Sequence, residues 1–174
     1  MKTYVAVLLV VGASCSGCVV GNDPPSDVDD VDDVDATTLD VVDAYRGLSQ
    51  INSHAYVSDL GPFDINCYVA GDVAKYQQIH PEQSGSGIRV AVGTVIVREV
   101  LDAQGAVEKL TVMAKGPPGF DPSLGDWWFG VTDPQGRPLE DDAGALLGRL
   151  TQCHGCHDAR AQDDYLFGVP SIDI

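Results

Sequence analysis

The chain has 174 residues, room for one domain with accessory segments, since domains usually run to about 100–200 residues. Acidic residues outnumber basic ones 26 to 10, and the formal net charge of −16 argues against the phosphate backbone of nucleic acid as a partner. Beyond the first turns of sequence no segment is apolar enough to span a bilayer, so lipid would be the only membrane anchor.

The chain opens Met1-Lys2-Thr3-Tyr4, runs apolar from Val5 to Val11, and passes through Gly12, Ala13 and Ser14 to Cys15. A Lys-bearing start, a short apolar run and a small-residue exit read as an export signal over 1–17, and the run is shorter than the ~20 residues of a spanning helix. Cys15 and Cys18 both stand where a bacterial lipoprotein is cut and acylated, and Cys18, after Cys15-Ser16-Gly17, is preferred. Neither has the usual Leu three positions ahead, and plain cleavage to a soluble product is the alternative. The mature chain is expected in the periplasm or cell envelope, lipid-anchored.

Residues 18–37 form an acidic tether. Between Asn22 and Asp35 the chain repeats Asp-Val-Asp without an aromatic or basic residue, and lacks the Gly turn and closing Glu of an EF-hand calcium loop. A single domain over 38–174 follows. Thr37 and Thr38 precede Leu39, Val42, Tyr45 and Leu48, the pattern of a capped amphipathic helix. Residues 64–70 alternate as a half-buried strand, 72–79 read as a short helix, and 81–87 as a loop. A strand over 88–101 should turn at Gly105 into a second over 106–114, and Trp127 to Val131 should add a third before the turn Asp133-Pro134-Gln135-Gly136. Ala143, Leu146, Leu147 and Leu150 recur at helical spacing, predicting a helix over 141–150. The order helix, sheet, helix predicts an α+β fold, an antiparallel sheet flanked by helices.

Residues 153–157 read Cys-His-Gly-Cys-His, the Cys-x-x-Cys-His attachment signature of c-type haem. Two thiols three positions apart on a tight turn can each bond one vinyl group of a porphyrin, and the next residue then presents an imidazole to the iron. Cys153 and Cys156 are the attachment residues, His157 is the proximal ligand, and His154 is a spacer. A structural zinc wants four ligands and no second ligand pair is present; a disulfide is the other rival. His54, His80 and Cys67 read as packing or surface residues. Seventeen residues follow His157 and none is Met, which excludes the small electron-transfer cytochromes whose motif comes early and whose methionine ligand comes later.

The combination resembles the cytochrome P-460 family, including its relative cytochrome c-prime-beta, over roughly residues 38–169. The resemblance rests on residues 93–100, Gly-Thr-Val-Ile-Val-Arg-Glu-Val, on Asp126-Trp127-Trp128-Phe129, and on the haem motif followed by Asp164-Tyr165-Leu166-Phe167. It implies an antiparallel sheet with helices, one covalent haem c near the C-terminus, an open face for a small gas or nitrogen-oxide ligand such as nitric oxide, and a homodimer. In hydroxylamine-oxidising members a lysine of the strand matching 93–100 bonds the porphyrin edge. Arg98 stands there in this chain, and a guanidinium stays protonated and is a poor nucleophile. Lys115, beside the breaker cluster of residues 116–119, is read as a solvated lysine at a strand end. Glu99 should face away from Arg98, which leaves no acid on the open side.

Three functions are therefore weighed: a five-coordinate haem protein that binds a small ligand, with Phe120, Trp127, Trp128 and Phe129 available as walls; an enzyme oxidising hydroxylamine; and an electron carrier for a redox protein. Met113 would be the carrier's sixth ligand, although core filling is its simpler role.

Overall fold

The structure, a computed structural model, describes residues 37–58 and 61–174; the export signal, Cys15, Cys18 and the tether up to residue 36 lie outside the described residues. Strands β1 (Ser49–Gln50), β2 (Tyr56–Val57), β3 (Asp64–Ala70), β4 (Val95–Leu101), β5 (Val107–Lys115), β6 (Trp127–Thr132) and β9 (Leu147–Gly148) form one sheet in the order β1-β3-β4-β5-β6-β9, with β2 also on β3. A small hairpin pairs β7 (Glu140–Asp141) with β8 (Gly144–Ala145). Helices are short: α1 over 37–43, α2 (Val73–Tyr76) and α3 (Thr151–His157). The fold is an α+β one built on an antiparallel sheet.

Alternation along the strands sorts side chains onto two faces. Cys67, Val69, Ile96, Met113, Trp127 and Phe129 belong to one buried cluster, completed by Tyr76, Ile79, Leu124, Leu166 and Val169. Val95, Val97, Leu110, Ala114 and Trp128 belong to the other, where α1 and the following 3-10 turn contribute Val42 and Tyr45. Burying each such side chain stabilises the fold by about 1.5–3 kcal/mol, and α1, too short to persist alone, is held by this packing. Gly130 is obligatory in β6: a Cβ there would meet the Trp128 ring at 2.5 Å.

Glu99 lies on the face away from Arg98, as expected from alternation. It is buried, accepting from Tyr45 Oη at 2.6 Å and from Asn66 Nδ2 at 2.9 Å.

Three expectations are corrected. Residues 141–150 are not a helix but short strands, because Gly144 and Gly148 take φ of +118° and +92° and Leu147 pairs with Gly130 along the edge of β6. Positive φ of that kind is incompatible with a right-handed helix. The strand expected over 88–101 starts only at Val95, because Val90 gives its N–H to the Asp164 carboxylate rather than to a neighbouring strand. Lys115 does end β5, yet it is not solvated: its Nζ donates to Asp164 Oδ1 at 2.6 Å and to the Gly125 carbonyl at 2.7 Å.

Candidate functional site

Cys153, Cys156 and His157 sit on α3 and line one cavity of about 230 Å³ between that helix and the sheet. Ile96, Met113, Phe129 and Val131 give it apolar walls, and Arg98 is the charged group among its lining residues. Sequence spacing puts the two thiols one helical turn apart, and the register of β4, β5 and β6 sets Ile96, Met113 and Phe129 side by side across the sheet. Helix α3 has no fully buried residue of its own, so its placement depends on neighbours: Leu150 and Cys153 pack on the core.

His157 is fixed more firmly. Its Nδ1 lies 2.6 Å from the Tyr165 carbonyl, which can only accept, so the proton is on Nδ1 and the Nε2 lone pair is left free. Phe129 and Phe167 meet the ring edge-on with centroids 5.2 and 5.3 Å away. Burial lowers the His157 pKa to about 4 against the opposing Tyr165 carbonyl, with Arg98 and His154 adding to the fall. The imidazole is therefore neutral at pH 7, the form that ligates a metal.

The Tyr165 carbonyl is itself held by an unusual piece of backbone. Asp164 and Tyr165 are consecutive non-glycine residues with φ of +57° and +63°, a conformation that costs about 1–2 kcal/mol for each. The surroundings enforce it. Lys115 and the Val90 N–H grip the Asp164 carboxylate, Trp127 Nε1 donates to the Asp164 carbonyl at 2.7 Å, and Tyr165 N donates to the Arg160 carbonyl at 2.8 Å.

Arg98 reaches the cavity from the middle of β4, opposite Cys67 on β3 and Thr111 on β5. Its Nη2 donates to the Tyr76 hydroxyl at 3.2 Å and to the Gly168 carbonyl at 3.3 Å. Position 168 requires glycine, with φ of +72° and a Cβ that would run into the Ile79 carbonyl.

Cys67, Cys153 and Cys156 are free thiols, so the Cys-x-x-Cys pair is not a disulfide here. Burial and the neighbouring Cys156 push the Cys153 thiol up to about 11. Among the described residues no group of three His, Cys, Asp or Glu side chains is arranged to hold a metal ion, and no helix is long and apolar enough to cross a membrane.

Of the other residues singled out in the sequence, Met113 and Phe129 line the cavity, whereas Phe120 and Trp128 are packed in the cluster on the opposite face and Trp127 is core. His154 Nε2 stands 3.5 Å from Asp121 Oδ2 without a hydrogen bond. His80 Nδ1 contacts the Val169 carbonyl and His54 Nδ1 contacts Ser53, both away from the cavity. Sequence reasoning missed Tyr76, the Tyr165 carbonyl and Gly168. Only the run 164–167 carried any signal, and it gave no role to a backbone oxygen.

A thioether-bound haem fits these residues by three observations: both thiols are free, both border an apolar cavity, and the imidazole between two phenyl rings keeps Nε2 unengaged. No family model matches the chain, and neither a curated protein nor a solved structure matches it.

Proposed function

We propose that this chain is an exported mono-haem c-type cytochrome of the cytochrome P-460 type that binds a small ligand such as nitric oxide. Cys153 and Cys156 would hold the haem through thioether bonds and His157 Nε2 would ligate its iron. Such a haem supplies an iron centre whose second face can take a small nitrogen-oxide ligand. The observation that carries the reading is the meeting of two free thiols and a neutral, Nε2-free imidazole at one apolar cavity.

The chain's own part is positional. The Tyr165 carbonyl fixes the tautomer and orientation of His157, the outer contact that keeps a ligating histidine in place. Ile96, Phe129 and Val131 give the cavity an apolar lining. Arg98 takes the place of a cross-linking lysine and cannot serve as the nucleophile, which disfavours hydroxylamine oxidation.

Met113 favours a second reading, electron carriage, because its thioether borders the same cavity as His157. Absorption spectra of the chain, purified from a host that attaches haem, decide between them. Ordinary c-haem bands that change on adding nitric oxide support ligand binding, and Cys153→Ala with Cys156→Ala should abolish haem that survives denaturation. Low-spin spectra indifferent to nitric oxide, reverting to ligand-responsive in Met113→Leu, would favour the carrier. A red-shifted ferrous Soret band would revive the cross-linked oxidase.

A further inference from the structure

We infer that Arg98 is an anion-binding group, taking a carboxylate or a small oxyanion such as nitrite through its Nε and Nη1 donors. Arg98 stands between two cavities, the one that holds Cys153, Cys156 and His157 and a smaller one walled by Tyr56, Phe167 and Gly168. None of the residues lining either cavity is acidic. Among the described residues Arg98 makes no ion pair, and its Nε is buried without a hydrogen-bond partner.

Its polar neighbours do not offset the charge either. Cys67 Sγ donates to the Tyr76 hydroxyl at 3.3 Å, and that hydroxyl accepts from Arg98 Nη2. Burial raises the Cys67 thiol and holds the Tyr76 phenol well above its ordinary value, so both are neutral at pH 7. Lacking a counter-charge, this half-buried guanidinium gives up hydration at its sealed Nε that no partner replaces. The bonds from Nη2 to Tyr76 and Gly168 hold the planar fork in place, and a planar fork with free donors matches the two oxygens of a carboxylate or nitrite. The formal charge of −16 on the whole chain disfavours casual adsorption of anions, so saturable uptake would report this site.

The occupant has two possible sources of one chemistry: a free anion, or a carboxylate of the haem itself. Only the second rests on the haem reading.

Sodium nitrite and sodium formate are titrated by equilibrium dialysis into the full chain made without haem attachment and into the haem-loaded chain, each beside Arg98→Gln and Arg98→Lys. The expected result is saturable binding that Arg98→Gln weakens by about tenfold or more, with Arg98→Lys intermediate because it keeps the charge and loses the fork. Binding to both chains identifies a free anion as occupant. Binding to the haem-free chain alone, with a crystal structure of the loaded chain pairing Arg98 to a haem carboxylate, identifies the haem. If Arg98→Gln does not fold, the comparison with Arg98→Lys decides. The inference is overturned if no Arg98-dependent binding occurs in either chain and Arg98 pairs with no haem carboxylate. Absence of covalent haem would sink the haem reading while leaving the haem-free titration to stand.

Discussion

The Asp164 carboxylate is almost wholly buried, and Lys115 Nζ lies 2.6 Å from it with a side chain only 12% exposed. Removing one partner of a buried pair leaves a desolvated charge, which costs about 3–5 kcal/mol. Lys115→Met should therefore lower stability by about 3 kcal/mol in urea denaturation, the Val90 N–H tempering the loss. Lys115→Arg, which keeps the charge, should recover part of it. A loss below about 1 kcal/mol in Lys115→Met would show that the pair is no better than a surface one. The same residue shows where sequence reading stops. A lysine beside a Gly-Pro cluster looks solvated until a carboxylate arrives from a distant turn, and no local pattern announces that arrival.

At the scale of elements, the stretch 85–88 is fastened to the turn after α3 through Asp163. Its carboxylate accepts from Ser86 N at 2.7 Å, Ser86 Oγ at 2.8 Å and Gly85 N at 3.1 Å, and Arg160 Nη2 is 3.2 Å away. Burial alone would raise this carboxyl, but those bonds and Arg160 outweigh it and hold it below the ordinary range. A folded-state pKa below the unfolded one contributes stability that is present above the unfolded value, near 3.9, and lost as pH falls through the folded one. Asp163→Asn should thus melt at a lower temperature than the parent at pH 7. The gap should close as the pH is taken below about 4, and a gap unchanged there would contradict the assignment.

Strands β3, β5 and β6 were legible because each has one buried face, or a dense β-branched and aromatic run, bounded by turn residues. Residues 141–150 misled because four apolar side chains at helical spacing are equally consistent with short edge strands when glycines between them take positive φ. The haem-type motif was legible because its chemistry is local in sequence. Arg98 could be placed near it only through the resemblance, and the Tyr165 carbonyl not at all, since a backbone acceptor has no side-chain signature.

The molecule as a whole divides its labour between the two faces of one sheet. On one, α1 closes a core of Val95, Val97, Leu110 and Trp128 and buries Glu99 under two tyrosines. On the other, α3 and the C-terminal segment leave a cavity bordered by the two thiols, His157 and Arg98. The central claim is that this cavity receives one covalent haem. Trypsin cuts after Arg149 and Arg160 and releases residues 150–160 with both motif cysteines. Mass spectrometry of that peptide, from chain exported by a host that attaches haem, tests the claim most directly. The account predicts a peptide carrying the mass of one haem, whereas a peptide with bare thiols or an internal disulfide would contradict it.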